Sequence, residues 1–357
     1  MEPIHQLLIG ASPGDAITSM AFRIRDRFRR TTQSNIYAAF IDSALSEEVF
    51  PVQDLYSSRS RCALIYHASY GLKRITQFLV DFRGSLVLNY HNITPPEFFE
   101  AIDPEFAEGL RWGRRELELI RPNVVVAVAD STFNANELLG LGYRDVLVCP
   151  AGVSHDRLKT LTRDIRLSNF FKSKFPNGFV VTLSQLLPHK SIHELVAATH
   201  YARNVLDLRI GLVIVGVERS STYATALRDF AFDLLGEECH FTGRLNDRQV
   251  GTLLQDALSY VSLSRHEGLS LPLIEAMAMG TPAVIRETGA LRETAGSGAC
   301  VLNCSAGPVE FADSLLDVLC SRDLRAKLVH RGLLRSEDFS RDRVLDRYEN
   351  HLDGVLA

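Results

Sequence analysis

Long apolar runs are missing from this sequence, and no segment has the length needed to span a bilayer. The first residues lack a charged lead, an extended hydrophobic stretch and a cleavage site, so we expect no secretory leader. The 6 cysteines lie mostly within apolar segments, which favours buried, reduced thiols in a cytoplasmic protein. Cys300 and Cys304 lie close together, but no histidine or second pair completes a zinc pattern, and we expect no metal.

An excess of positive charge is also missing. The formal net charge of -4 gives no broad basic surface for nucleic acid, although a local basic patch remains compatible with it. The segment GASPGD, residues 10–15, lacks the G-x-G-x-x-G spacing that a nicotinamide-dependent enzyme has after an early strand. The chain has 357 residues, which is too long for one ordinary core and suits two α/β domains.

Short apolar runs alternate with helix-length segments along the chain, and this alternation predicts parallel sheets wrapped by helices. The runs are residues 6–10, 35–41, 62–66, 85–90, 124–128, 146–149, 179–183, 210–215, 239–242, 258–262, 283–285 and 300–302. We therefore predict two similar domains, 1–153 and 154–338, facing across a cleft. Ligands of such sheets bind beyond the carboxyl ends of the strands, so the loops that follow the strands are the candidate sites.

One loop stands out, in the segment SRHEGLSLPLIEAMAMGTPAV of residues 264–284. It places Glu267 and Glu275 at the mouth of a predicted helix. Gly268 permits a close approach, and the amides of Leu269, Ser270 and Leu271 would point out of the helix N-terminus, where phosphate oxygens are favoured. A carboxylate beside phosphate is repelled, so we expect each glutamate to accept hydrogen bonds from sugar hydroxyls flanking a diphosphate. For the glutamates alone, the alternative is a surface loop with solvated acids.

The spacing S-x-x-E-G-x-x-x-P-x-x-E-A-M-A-x-G-T-P in this segment resembles the donor loop of retaining group 1 (family 4-like) glycosyltransferases. These enzymes have the GT-B fold of two Rossmann-like domains. The resemblance implies that Glu267 contacts the donor sugar or its leaving oxygen, that Glu275 holds the ribose hydroxyls, and that the intervening amides hold the diphosphate. It also implies an acceptor domain at 1–153, with a helix at 339–357 packing back on it, and a nucleotide-sugar donor domain at 154–338.

A second part of the resemblance lies in LSQLLPHKS, residues 183–191, where the family usually carries Gly-Arg-Leu, three residues and Lys-Gly. Lys190 matches the lysine, and by resemblance it stabilises negative charge on the leaving diphosphate. Gln185 stands where arginine is expected, which removes one cation. Either Lys190 carries more of that task, or another basic residue such as Arg265 or Arg244 enters the site.

Weaker candidates follow other predicted strands. In the family, the loops containing Gly216 and Leu245 lie near the diphosphate and the base, which is read mostly by backbone groups; a glycine after a strand is also an ordinary turn residue. In the first domain, Gly14 and Asp15 lie in SPGDAITS, a loop that in related enzymes lies against the donor sugar and the acceptor. A helix-capping role suits Asp15 equally well.

His91 follows a strand in the run NYHNITPPEFF, and the resemblance places a histidine here in the cleft, facing the transferred sugar. His67, which ends the preceding strand, is a weaker candidate of the same type. The helix-length segment 20–30 carries five arginines interleaved with apolar residues. It predicts either an amphipathic surface helix or a peripheral contact with anionic lipid at the inner face of the membrane, which Arg111, Arg114 and Arg115 around Trp112 would extend.

Together these patterns predict a retaining glycosyltransferase that moves a sugar from a nucleotide-diphosphate donor to a hydroxyl of a glycan, lipid-linked or small-molecule acceptor. By resemblance it needs no metal or other cofactor, and the departing phosphate oxygen deprotonates the acceptor. Two alternatives remain. One is a catalytically silent nucleotide-sugar-binding subunit, suggested by Gln185. The other is a GT-B-fold sugar-nucleotide 2-epimerase, which needs additional acid and base groups.

Overall fold

The computed structural model describes residues 2–57, 61–218 and 221–356. The chain forms two compact units: unit 1 comprises Met1–Gly152 and Asp342–Ala357, and unit 2 comprises Val153–Arg341. The boundaries drawn from the sequence lie within three residues of these. Each predicted apolar run overlaps a strand, because runs rich in Val, Ile and Leu are what strands buried on both faces require.

Unit 1 contains a parallel sheet, seven-stranded in the described part of the chain, with the order β3-β2-β1-β4-β5-β6-β7. Its strands are β1 Ile4–Ala11, β2 Ile36–Ile41, β3 Val49–Pro51, β4 Ala63–Ala68, β5 Leu86–Tyr90, β6 Val124–Ala129 and β7 Val146–Val148. The register aligns Leu8 of β1 with His67 of β4, and His67 with Asn89 of β5. The carboxyl ends of these strands therefore meet at one edge of the sheet.

The helices of unit 1 that precede its last strand are α1 Ala16–Phe28, α2 Val52–Ser57, α3 Lys73–Asp81, α4 Pro104–Ile120 and α5 Thr132–Gly140. The C-terminal helix, Arg341–Leu356, packs on this unit. Its Tyr348 is buried, and the hydroxyl donates to Asn89 Oδ1 at 2.9 Å. Arg27 of α1 pairs with Asp346 and Glu349 of the same helix. These contacts attach the end of the chain to the unit that contains its beginning.

Unit 2 contains a second parallel sheet, six-stranded among the described residues, with the order β10-β9-β8-β11-β12-β13. Its strands are β8 Phe179–Leu183, β9 Gly211–Val215, β10 Cys239–Gly243, β11 Ser259–Ser262, β12 Ala283–Arg286 and β13 Cys300–Leu302. Its helices are α6 His155–Thr160, α7 Ile165–Lys174, α8 Ile192–Asn204, α9 Ser221–Leu235, α10 Asp247–Asp256, α11 Leu271–Ala278, α12 Leu291–Ala295, α13 Pro308–Cys320 and α14 Arg322–Ser336, and the C-terminal helix is α15.

Alternation along the strands of unit 2 supplies a core on both faces of the sheet. Val180 of β8 and Leu212 of β9 belong to one apolar cluster, whereas Val181 and Val213 belong to another. Successive side chains of a strand point to opposite faces, so these neighbours must enter different cores. Within the described ranges, none of the helices combines the length and the apolar character needed to cross a membrane.

Candidate active site

The carboxyl ends of β8 and β11, which are neighbours in the sheet of unit 2, bring together two of the residues singled out from the sequence. Lys190 ends a short 3₁₀ helix after β8, and Glu267 lies in the loop after β11. Lys190 Nζ and Glu267 Oε1 form an ion pair at 2.7 Å, with side chains 18% and 12% exposed. These residues are 77 positions apart in the sequence. The structure thus joins the two motifs in one charged cluster.

Backbone hydrogen bonds fix the loops that carry this pair. Arg265 N donates to His189 O at 2.7 Å, which ties the loop after β11 to the loop after β8. Ala290 N donates to Glu267 O at 2.9 Å, which ties it to the loop after β12. A Cβ added at Gly289, where φ is +52°, would lie 2.3 Å from Glu267 O. The backbone at Glu267 is therefore held by neighbours on both sides.

Gly216, which follows β9, is required by the packing of the loops themselves. A Cβ at this position would lie 1.7 Å from Ser184 O, a distance that no side chain allows. Ser184 N donates to Val215 O at 2.9 Å, and Gly216 N donates to Gly243 O at 3.1 Å. This close approach explains the glycine, and its predicted contact with the diphosphate stays a prediction. Leu245, in the next loop, packs against the apolar core of unit 2.

The N-terminus of α11 lies next to Glu267 in the chain. Ser270 is its N-cap residue and is buried, and Pro272 occupies the first turn. The first hydrogen bond of the helix runs from Ile274 N to Ser270 O, at 3.2 Å. The amides of residues 268–271 precede it, so they have no carbonyl acceptor within the helix. Glu275, half-buried, belongs to the same helix. The arrangement can bind an anion through backbone amides and the helix dipole.

Tyr260 of β11 lies beneath this loop and was missed by the sequence analysis. Burial raises the pKa of its hydroxyl, and the negative charge of Glu267 raises it further, while hydrogen bonds with Ser270 and Ser262 act to lower it. The phenol therefore stays protonated and able to donate a hydrogen bond. Only its period in the strand predicts that it is buried, and nothing in the sequence indicates that it lies near Glu267.

A second charged cluster, also missed, lies on the other side of the loop after β11. Glu194 of α8 pairs with Arg286, which ends β12 and is buried, and with Arg265 at 2.8 Å. Burial acts to raise the pKa of Glu194, but Arg286 and Arg265 outweigh it and lower that pKa. Arg265 is thus held by a carboxylate. Gln185, which replaces the family arginine, and Arg244, the other candidate to supply its charge, are both exposed on their loops.

In unit 1, His91 follows β5 and lies between two partners. Its Nδ1 is 2.9 Å from Asp130 Oδ2, after β6, and its Nε2 is 2.8 Å from His67 Nδ1, on β4. The His91 side chain is 5% exposed. Burial, and then the neighbouring His91, hold the pKa of His67 well below its ordinary value. The predicted sugar contact of His91 remains untested, and Asp130 is a partner that the sequence did not indicate.

The loop after β1 is organised by helix capping. Asp15 Oδ2 accepts from Thr18 N at 2.8 Å and from Thr18 Oγ1 at 2.9 Å at the start of α1. Gly14 has φ of +73°, a left-handed conformation that favours glycine. The capping role considered for Asp15 is thus present, and a ligand contact of either residue stays a prediction.

Four of the five arginines in segment 20–30, which includes most of α1, have partners within unit 1. Arg23 donates to Gly152 O at 2.8 Å, Arg25 pairs with Glu48, and Arg29 donates to a backbone carbonyl. Arg27 is held by α15, as described above. Arg25 and Arg27 are paired with carboxylates, whereas Arg23 and Arg29 donate to neutral carbonyls and keep their charge, so the predicted membrane contact stays a prediction. Among the residues that the structure describes, no group of three or more His, Cys, Asp or Glu side chains is placed to hold a metal ion.

Residues 166–334 match the model of the family described as "Glycosyl transferases group 1". The chain is similar to the O-antigen chain mannosyltransferase RfbU of Salmonella typhimurium, with 23% identity over 161 residues, 45% of this chain and 44% of the relative. It is also similar to the MMP alpha-(1->4)-mannosyltransferase of Mycolicibacterium hassiacum, with 28% identity over 165 residues, 45% of this chain and 39% of the relative. The alignments thus span less than half of either relative.

Among solved structures, the fold is similar to that of Anabaena Alr3699/HepE, determined in complex with UDP and glucose. The TM-score is 0.80, and the superposition covers 99% of this chain and 100% of that chain at 17% identity. At this identity the likeness shows the fold alone. It agrees with two parallel sheets flanked by helices, and it confirms the fold class predicted from the sequence. The chain has the GT-B fold, and its residues 166–334, which include the donor-loop pattern, are similar to the group 1 glycosyltransferases.

Proposed function

We propose that this protein is a retaining glycosyltransferase that moves a sugar from a nucleotide-diphosphate donor to a hydroxyl of a glycan, lipid-linked or small-molecule acceptor. The observation that carries the proposal is the Lys190–Glu267 ion pair, 2.7 Å long, beside the N-terminus of α11. It combines a cation for a leaving diphosphate with a carboxylate for a sugar. The match to the group 1 family and the mannosyltransferase names of two relatives support it.

The diphosphate would lie between Lys190 and the amides of residues 268–271. An ammonium and the first turn of a helix both favour negative charge, and fixed groups of this kind stabilise charge that develops on a leaving group. Lys190 is mostly buried, so its charge is screened less than that of a surface lysine. We propose that these groups stabilise the leaving diphosphate without a bound metal or another cofactor.

Glu267 and Glu275 would contact hydroxyl groups on the two sides of the diphosphate. Each carboxylate accepts hydrogen bonds, and Glu267 is oriented by the Lys190 ammonium. We assign the sugar to Glu267 and the ribose to Glu275, in keeping with the family pattern. The departing phosphate oxygen would take the proton from the acceptor hydroxyl, on the same face as the broken bond, which retains the anomeric configuration.

The two units would have different tasks. Unit 2 contains the proposed donor site, and unit 1 would bind the acceptor through the loops at the carboxyl ends of its strands, which include Gly14, Asp15 and His91. A cytoplasmic location with peripheral membrane contact would suit a lipid-linked acceptor. Binding to vesicles of anionic lipid, compared with neutral vesicles, tests that contact.

Calorimetric titration with UDP, GDP, TDP and ADP sugars tests the donor site. We expect one nucleotide to bind selectively, and binding to be lost in Lys190→Ala and Glu275→Ala. Lys174→Ala is a matched control, because Lys174 pairs with Glu237 at the same 2.7 Å and its side chain is 19% exposed. Equal loss in Lys174→Ala, or binding that survives both site variants, would contradict the proposed donor site.

Gln185, which replaces the family arginine, favours one competing function, a nucleotide-sugar-binding subunit that performs no transfer. Incubation of the purified chain with the donor that it binds separates the two. We expect slow hydrolysis in the absence of an acceptor, and proton NMR should show the retained anomer first. Binding without any sugar release or transfer would favour the silent subunit, and the inverted anomer would refute retention.

A further inference from the structure

A row of hydrogen-bonded side chains crosses four neighbouring strands of the sheet in unit 1. Gln6 lies on β1, His67 on β4, His91 after β5 and Asp130 after β6. Gln6 Oε1 is 3.0 Å from His67 Nε2, His67 Nδ1 is 2.8 Å from His91 Nε2, and His91 Nδ1 is 2.9 Å from Asp130 Oδ2. We call these four residues the histidine row.

The amide of Gln6 has one orientation that its surroundings allow. Its Nε2 donates to Ala21 O of α1 at 2.9 Å, and a backbone carbonyl can only accept. Turning the amide over would place two oxygen acceptors against each other. Gln6 therefore presents Oε1 to His67, and that oxygen needs a proton from His67 Nε2.

Three hydrogen bonds in the row therefore need three protons. Each bond joins two atoms that can accept, so each needs a hydrogen of its own. Two neutral imidazoles supply only two, one apiece. With His67 Nε2 donating to Gln6, the Nδ1 of His67 must accept from His91 Nε2, and a third proton must lie between His91 Nδ1 and Asp130. Imidazole is a stronger base than carboxylate, so this proton belongs to His91.

We propose that the histidine row holds His91 as a doubly protonated imidazolium paired with the Asp130 carboxylate, with His67 and Asp130 as positioning residues. Both ring nitrogens then carry protons and have acceptors, so the ring cannot accept a proton from an acceptor hydroxyl. The doubly protonated ring gives His91 a fixed positive charge and excludes a role for His91 as general base. Under the proposed function, on which this assignment rests, that charge lies at the edge where unit 1 would bind its substrate.

Two groups that face the row from other elements, a thiol and a phenol, are neutral, and the nearby Arg347 is charged. Burial raises the pKa of the Cys149 thiol, which follows β7, to about 12; Arg347 acts to lower it and Asp130 to raise it. Burial also raises the pKa of Tyr348, on α15, while its bond to Asn89 acts in the opposite direction. A neutral thiol and a neutral phenol do not compensate the Asp130 carboxylate, whereas His91 is hydrogen-bonded to it at 2.9 Å.

Ring nitrogen NMR of the whole chain labelled with ¹⁵N-histidine tests the proposal near neutral pH. Signals of His91 are assigned by their loss in His91→Gln. In the unaltered protein we expect His91 to carry protons on both nitrogens and His67 on Nε2 alone. In Gln6→Met, the oxygen that demands the third proton is gone, so we expect His91 to keep only the Nδ1 proton and His67 to move its proton to Nδ1.

Asp130→Asn should likewise remove one proton from His91, whereas Asp42→Asn, which alters an exposed capping aspartate of the same unit, should not. A singly protonated His91 in the unaltered protein overturns the proposal, and so does a doubly protonated His91 in Gln6→Met. The unaltered protein decides the first point even if a variant fails to fold. Because these signals need no donor or acceptor, they are independent of whether the chain transfers sugar.

Discussion

Replacing Glu267 by glutamine should tighten the binding of a free nucleoside diphosphate and slow sugar transfer. The carboxylate of Glu267 lies 2.7 Å from Lys190 Nζ, the ammonium that we assign to the diphosphate. Glutamine can still accept a hydrogen bond from Lys190 through its amide oxygen, so the lysine keeps its orientation. The variant therefore removes a negative charge beside the anion while the shape of the loop is retained.

The expected gain follows from the geometry. A phosphate oxygen that accepts from the same ammonium lies about 2.8 Å from Nζ, so the two anions are at most about 5.5 Å apart. At that separation, two unit charges repel by about 0.8 kcal/mol in water and by about 3 kcal/mol at an effective dielectric constant of about 20. Both side chains are partly exposed, so we take about 1 kcal/mol, which is about fivefold in affinity.

Calorimetry with the nucleoside diphosphate that the unaltered protein binds measures this change, and the gain should shrink at high salt. Glu237→Gln is the control, because Glu237 accepts from Lys174, the last residue of α7, at the same distance of 2.7 Å. This variant should leave the affinity for the nucleoside diphosphate unchanged. Transfer from the sugar nucleotide should fall in Glu267→Gln, since the sugar loses a charged acceptor. Weaker binding of the free diphosphate in Glu267→Gln would refute this reasoning.

Three further predictions concern packing, pH and metal. Gly216→Ala should destabilise unit 2 by about 2 kcal/mol or more in denaturant unfolding, since its Cβ would lie 1.7 Å from Ser184 O, while Gly140→Ala should be nearly neutral. Burial raises the pKa of Glu116 to about 7, against hydrogen bonds from Thr76 and Tyr66, so the fold binds a proton that the unfolded chain releases. The stabilisation from this proton is complete below the ordinary pKa of 4.5 and is lost as pH rises through 7. Over this range the free energy of unfolding of the unaltered protein should fall by about 3 kcal/mol more than that of Glu116→Gln. An equal pH dependence in both proteins would contradict the assignment. Transfer should survive EDTA, and loss of activity that a divalent cation restores would show that a metal is needed.

The alternation of strands and helices could be predicted because each strand carries its own local signal. The exception is β3, Val49–Pro51, which the sequence analysis missed. It has three residues, lies at the edge of the sheet next to β2, ends in a proline, and exposes Phe50. The equally short β7 and β13 are wholly apolar, whereas β3 contains a proline, which argues against a strand except at an edge. Its existence depends on pairing with β2, which the sequence does not show.

The site was predictable to the extent that its residues are contiguous. Glu267 and the start of α11 belong to one stretch of chain, so their spacing alone places them together. Glu194 and Arg286 are 92 positions apart, and His91 and Asp130 are 39 apart. Each of these pairs can be predicted only once the order of the strands in the sheet is known. A sequence read alone gives such residues no partner, which is why both pairs were missed.

Strand order also explains where the Lys190–Glu267 pair and the histidine row lie. In unit 2, the chain runs from β8 through β9 to β10 in one direction and returns to add β11 on the other side of β8. In unit 1, it runs from β1 to β3 and then adds β4 on the other side of β1. At each such switch point, the connections that follow two neighbouring strands run in opposite directions, which opens a crevice at the carboxyl ends of those strands. Lys190 and Glu267 flank the β8/β11 switch, and Gln6 and His67 bond across the β1/β4 switch. The same topological rule therefore locates the Lys190–Glu267 pair in unit 2 and the histidine row in unit 1 by a criterion that uses neither the donor-loop pattern nor the relatives.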